Sequence, residues 1–133
     1  MYPPFETEIV QLHYFFQEWF RGEIPATETV FCRFSEVLHQ DFIIISPSGK
    51  LNTKAETLSG VKSRYGKLMD ISIWIENVQL RYQDEKMALV TYEEWQTTGE
   101  KTTARISSIT FLKENQAPNG LHWFHLQETW KSR

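Results

Sequence analysis

Glu93 and His125 are of the types that exchange protons beside a bound ligand, and the residues around them decide whether they meet. Gly99-Glu100 suits a two-residue hairpin turn, because Gly is favoured at its first position. Pairing Thr98 with Lys101 and counting outward sets Glu94 opposite Arg105, Tyr92 opposite Ser107 and Trp95 opposite Ala104. Counting back through Asp84-Glu85 sets Tyr82 opposite Met87 and Leu80 opposite Leu89. One face then carries Leu80, Tyr82, Leu89, Thr91, Glu93, Trp95 and Ile106, and it is read as the concave face of a sheet. A carboxylate on such a face loses solvation, so the pKa of Glu93 is expected to rise unless a donor compensates.

On the closing segment Trp123, His125, Gln127 and Thr129 alternate onto one face, and their mixture of rings and polar groups suits a pocket wall. Glu93 and His125 then form an acid–base pair on a ligand held against Trp19 and Trp95, with Tyr14 as a further donor. Mutual satisfaction of the same groups inside a core is the competing reading. A slip of one residue in the last strand reverses its faces and replaces His125 by Glu128 as the inward group.

Arg105 has two readings. Opposite Glu94 it forms a cross-strand ion pair on the outer face, worth about 0.2–1 kcal/mol; turned to a ligand it is an anion anchor. Tyr14, Trp19 and Phe20 recur at helical spacing, which serves a core as readily as a ligand wall.

The remaining chemistry is thin. His13, His39, His122 and His125 form no HExxH pattern, and one cysteine removes the usual zinc arrangements, so no metal is expected. The glycines fall at turns and helix ends without a phosphate-cradling loop, and no Gly-x-Ser-x-Gly elbow is present, so no cofactor is expected.

The elements that must position these groups change period along the chain. Ile9, Leu12, Phe16, Trp19 and Phe20 lay one apolar stripe on a helix from Glu6 to Arg21. Thr27 or Thr29 caps a second helix with Val30, Phe31, Phe34, Val37 and Leu38 inward, ending near Asp41. Phe42 to Ser46 reads as a strand followed by the turn Pro47-Ser48-Gly49-Lys50. Thr53-Lys54-Ala55-Glu56 matches a capping box and starts a third helix running to about Gly66. From Ile71 the period is two, over about 71–83, 86–97, 102–113 and 121–131, joined by short loops as an antiparallel meander. Apolar parity slips within the first and third of these segments, and bulges that bend a sheet produce such slips.

Composition bounds the rest. A chain of 133 residues with 41% hydrophobic and 14% aromatic residues has the material for a core without staples. The net charge of −3 comes from 17 acidic and 14 basic residues scattered without a basic stripe, so nucleic acid is not an expected partner. Cys32, alone between Phe31 and Phe34, reads as a small buried hydrophobe suited to a reducing compartment. No stretch approaches the about 18 apolar residues of a membrane span, and the N-terminal residues lack a leader pattern. The expectation is one cytoplasmic domain over residues 1–133, with no membrane partner.

The order of helices, hairpin-like strand, short helix and long curved meander resembles the nuclear transport factor two-like superfamily, which includes ketosteroid isomerase-like and polyketide cyclase-like proteins. The residues carrying the resemblance are Leu38-His39-Gln40-Asp41-Phe42 with Ser46-Pro47-Ser48-Gly49-Lys50, then Arg105-Ile106-Ser107-Ser108 and the closing 123–130 segment. It is similar to small bacterial members of unassigned function, and its last strand is similar to the calmodulin-dependent kinase association domain. The resemblance implies an α+β fold in which N-terminal helices pack in the concave side of a strongly curved antiparallel sheet. It further implies a pocket at the open end of the resulting cone and frequent homodimers.

On this reading the chain binds a small apolar or carbonyl compound inside the cone. One alternative is an isomerase, dehydratase or cyclase acting by proton transfer; the other is a non-catalytic interaction module. A homodimer through the outer sheet face is expected, carried by Val90, Tyr92, Ile109, Phe124, Leu126 and Trp130.

Overall fold

The computed structural model describes residues 4–132. Helix α1 spans Pro4–Arg21, α2 Glu28–Ser35 and α3 Lys54–Ser63; the strands are β1 Leu38–Ile45, β2 Leu51–Thr53, β3 Ser72–Gln83, β4 Met87–Thr98, β5 Lys101–Lys113 and β6 Leu121–Trp130. They form a six-stranded sheet in the order β2-β1-β6-β5-β4-β3. Every pairing is antiparallel except β1 with β6, which is parallel, so the sheet is mixed.

The helices lie against one face. The α1 stripe of Ile9, Leu12, Phe15, Trp19 and Phe20 is buried against an inward sheet row that includes Ala88, Val90, Tyr92, Ile109, Phe111 and Trp123. At the end of α1, Gly22 has φ +74, and a Cβ there would lie 3.1 Å from the Cα of Gly66, so the chain can approach itself only with glycine. The amides of Gly66 and Leu68 donate to the carbonyls of Trp19 and Phe20, holding the α3–β3 connection over the helix end.

The local signals account for the caps. Thr27 accepts from the Val30 amide at the start of α2, and Thr53 with Glu56 forms the reciprocal capping box of α3. The second helix is shorter than its apolar pattern suggests. Val37 and Leu38 belong to the strand side, where Trp123 N–H donates to the Val37 carbonyl and Leu38 pairs with Trp123. Sheet pairing wins there over helical spacing.

The β4–β5 register is the one expected from the Gly99-Glu100 turn, with Glu94 opposite Arg105, Tyr92 opposite Ser107 and Trp95 opposite Ala104. At the other turn Tyr82 pairs with Leu89 and Leu80 with Val90, because the Asp84 carboxylate accepts from the amides of both Lys86 and Met87 and widens the connection. The register of β3 shifts twice, and Asn77 at φ 56 marks the first shift. Strand β5 carries no shift against β4; its slip of parity reflects which end of the strand is covered. The second bulged strand is β6, at Phe124, where Thr110 pairs with His125 but Phe111 pairs with Trp123.

The faces are the reverse of the expectation. Ala88, Val90, Tyr92, Glu94 and Ser107 are buried, whereas Glu93, Trp95 and Ile106 lie on the outer side. Counted strand by strand, the row with Glu94 and Arg105 looks too charged to face inward. In three dimensions its charges meet His13 from α1 and Glu128 from β6, and the apolar remainder of the row, Val90, Tyr92, Ile109 and Phe111, packs as the core.

No helix among the described residues is long and apolar enough to cross a membrane.

Candidate functional site

Between the helices and the inner sheet face lies a cavity of about 340 Å³. Leu12, Phe16 and Phe20 of α1, Phe34 of α2, Phe42 and Ile44 of β1, and Trp123 and Leu126 of β6 supply its apolar wall. Its polar residues converge from separate elements: His13, Glu94, Gln96, Arg105 and Glu128, with Ser46, Asn52, Thr57 and Arg64 also in the lining.

The polar floor is bonded. His13 Nδ1 lies 2.8 Å from the Ile9 carbonyl oxygen, and Nε2 lies 3.1 Å from Glu94 Oε1. A carbonyl can only accept, so Nδ1 donates; Nε2 faces an ionised carboxylate, so it donates too, and the ring is an imidazolium. Burial opposes that charge, but the adjacent Glu94 carboxylate outweighs it and holds the His13 pKa above its ordinary value. Burial also opposes the charge on Glu94, and His13 and Arg105 overcome it, bringing that carboxyl down to about 2. Gln96 Nε2 donates to the other Glu94 oxygen at 2.6 Å.

Arg105 and Glu128 form the second half of the floor. Arg105 Nη1 donates to Glu128 Oε1 at 3.2 Å, and the guanidinium carbon sits 4.9 Å from the centroid of the Trp130 ring. Burial and the neighbouring Glu94 charge push the Glu128 carboxyl up to about 6, against the pull of Arg105. Among the described residues Arg105 Nε, Tyr92 OH and Ser107 Oγ are buried with no partner in hydrogen-bond geometry. Native proteins leave few such groups, so a buried guanidinium N–H beside a cavity is a feature to be explained.

The residues expected to form the site divide. Arg105 and Trp123 line the cavity, and Trp123 is anchored through Nε1 donating to Glu8 at 2.8 Å. Glu93 does not face it. On the outer side Glu93 accepts from Trp95 Nε1 at 3.0 Å and from Asn77 Nδ2 at 3.3 Å, and the Trp95 bond holds its carboxyl below, not above, its ordinary value. Trp95 is stacked on Trp74 there, centroids 6.0 Å apart. His125 and Gln127 also point away, because the bulge at Phe124 lets Trp123 and Leu126 both face inward. The proton-transfer pairing of Glu93 with His125 is therefore not assembled in the cavity. Trp19 is core, 2% exposed, with Nε1 donating to the Val61 carbonyl, and Tyr14 is 58% exposed on the far side of α1.

In place of that pair the cavity holds His13, Glu94 and Glu128. Glu128 is the inward group of the slipped register. Glu94 has the expected partner strand, but its ion-pairing contact is His13, while Arg105 turns to Glu128. The signal for His13 lay in the helix: it follows Ile9 by four residues, within the stripe of Ile9, Leu12, Phe16 and Phe20.

Residues 5–132 match the family described as Sucrose-6-phosphate phosphohydrolase C-terminal. Sucrose-phosphatase 2 of Nicotiana tabacum is 27% identical over 126 residues, a match covering 92% of this chain and 30% of that protein. The chain thus spans about a third of the length of the curated relatives it matches. Among solved structures, a nuclear transport factor two-like protein of unknown function from Pseudomonas aeruginosa superposes with a TM-score of 0.87 at 22% identity, over 97% of this chain and 99% of that one. The CaMKII hub of S. rosetta superposes with a TM-score of 0.65 at 13% identity, over 80% and 83%. The fold is nuclear transport factor two-like.

Proposed function

We propose a ligand-binding role for this chain, which belongs to the Sucrose-6-phosphate phosphohydrolase C-terminal family. The observation that carries it is a cavity of about 340 Å³ with an aromatic wall and a floor of buried, mutually bonded charges. Ligand pockets run from about 300 to 1,000 Å³ and combine an apolar lining with a few placed polar groups. Burying His13, Glu94, Arg105 and Glu128 costs desolvation that well-packed apolar residues would not incur, so stability alone does not account for their placement.

In the longer sucrose-phosphatases this domain would add a binding site to the phosphohydrolase for which they are named. The experiment is a ligand-observed NMR screen of small polar and apolar compounds against the wild type and Thr57→Trp, which adds a ring to the cavity lining from α3. Compounds that bind the wild type and are lost from a folded Thr57→Trp support the role; binding untouched by the substitution contradicts it.

Proton transfer on a bound ligand is the second reading, and the Glu128 carboxyl at about 6 favours it, because such a group changes charge near neutrality. We also propose self-association through the outer sheet face in a cytoplasmic setting. Val90, Tyr92, Ile109 and Leu126 are in the core and cannot supply that contact. Trp74, Tyr82 and Ile106 are exposed at 38%, 54% and 44% and can.

A further inference from the structure

We infer that the ligand of this cavity is a neutral polyol, a sugar with free vicinal hydroxyls, and that its phosphate ester is excluded from the floor. The inference rests on the ligand-binding reading above and adds the chemical class.

Charge decides between the classes. The floor holds His13 and Arg105 as cations and Glu94 and Glu128 as carboxylates, paired at 3.1 and 3.2 Å. Its sum is zero when both carboxylates are ionised. A phosphate or carboxylate entering there finds no net positive charge to offset the loss of its own hydration, because each cation is already neutralised by its partner. A charge desolvated without such compensation is costly. An apolar carbonyl compound fails for another reason: it accepts from Arg105 but offers no donor to the Glu128 oxygen that Arg105 leaves free.

A vicinal diol meets both demands. One hydroxyl accepts from the guanidinium, whose Nε has no protein partner, and its neighbour donates to the Glu128 oxygen not engaged by Arg105. Trp130 over the guanidinium fixes the plane of those donors. The opposite wall offers the rings of Phe16, Phe20, Phe34 and Trp123, and the C–H face of a sugar ring is apolar enough to lie against them. Arg64 lies in the lining as well, exposed at the C-cap of α3. It is the cation through which an ester would hold its phosphate outside the floor, so the ester is titrated against Arg64→Ala, where that hold is removed, as well as the proteins below.

Isothermal titration at pH 7 tests this with glucose, fructose, sucrose, sucrose 6-phosphate, inorganic phosphate and cyclohexanone against the wild type, Arg105→Gln, Glu128→Gln and Thr57→Trp, each checked for folding by its thermal transition. The expected result is binding of at least one neutral sugar, weakened at least tenfold by Arg105→Gln and by Glu128→Gln and lost in Thr57→Trp. The 6-phosphate is expected to bind at least tenfold more weakly than sucrose. If either polar variant fails to fold, the comparison of sucrose with its ester and the Thr57→Trp result still decide. Equal or tighter binding of the ester, or competition by inorganic phosphate, overturns the inference. Binding of cyclohexanone without any sugar overturns it while leaving the ligand-binding reading intact; absence of binding by every probe counts against both.

Discussion

His13 Nε2 lies 3.1 Å from Glu94 Oε1, joining the first helix to the middle of the sheet across 81 residues of sequence. Both groups are buried. Replacing His13 by Phe strips Glu94 of its ion-pair partner and leaves only Gln96 and the nearby Arg105 charge, a loss of about 3–5 kcal/mol in unfolding free energy. The double variant with Glu94→Gln is expected to recover much of it, as a urea-denaturation cycle would show. Because the folded His13 pKa is raised, its contribution is fully present below pH 6.5 and fades as pH rises through the folded value. Nitrogen NMR at pH 6.5 should find the His13 ring more than half in the doubly protonated form; a mostly neutral ring there would contradict the arrangement.

Glu128 has the opposite consequence to an ordinary paired carboxylate. Its folded pKa of about 6 exceeds the ordinary 4.5, so between those values the folded protein keeps a proton that the unfolded chain releases. Stability therefore falls as pH rises from about 4.5 to 6, by about 2 kcal/mol in total. Glu128→Gln is expected to flatten that decline relative to the wild type. Parallel curves for the two proteins across this window would contradict it. Glu94, lowered to about 2, acts the other way, and its contribution is lost as pH falls from about 4.5 toward 2.

Glu8 is the structural counterpart of the cavity charges. It is fully buried, receives two bonds from Arg33 at 2.8 and 3.3 Å, and accepts from Asn119 and from Trp123 Nε1. These bonds tie α1 to α2, to the loop before β6 and to a cavity wall. Glu8→Ala strands the guanidinium and the Trp123 N–H, while Asn119 keeps its bond to Gln11, so a loss of about 3–5 kcal/mol is expected in denaturant unfolding. A loss below 1 kcal/mol would show that the cluster relaxes into water.

The outer face predicts a dimer. Trp74, Tyr82 and Ile106 expose apolar surface on the side of the sheet away from the helices, beside the stacked Trp95, and patches of this kind mark interfaces. Sedimentation equilibrium at micromolar concentration should give twice the chain mass for the wild type and the chain mass for Ile106→Lys. A wild-type monomer at that concentration would rule the interface out.

Local rules carried much of the fold: the α1 stripe, the Thr53–Glu56 capping box and the Gly99-Glu100 register each depend on residues close in sequence. The site was less legible because its polarity is cancelled from afar. Glu94 and Arg105 look outward-facing when only β4 and β5 are counted, and only the packed chain brings His13 and Glu128 to them. A single bulge at Phe124 then moved His125 and Gln127 out of the wall and Glu128 into it, a reversal that alternation cannot anticipate. Trp123 lines both the expected and the observed wall because it precedes that bulge, whereas Arg105 reaches the wall because the row it shares with Glu94 faces inward.

The most direct test is methyl-resolved chemical-shift mapping of protein labelled at Ile and Leu, titrated with each compound retained from the ligand screen. The account predicts saturable shifts at Leu12, Leu38, Ile44 and Leu126, which line the cavity, with Leu89 and Ile106 on the outer face unchanged. Shifts confined to Leu89 and Ile106, or cavity shifts that persist in Thr57→Trp, would contradict it.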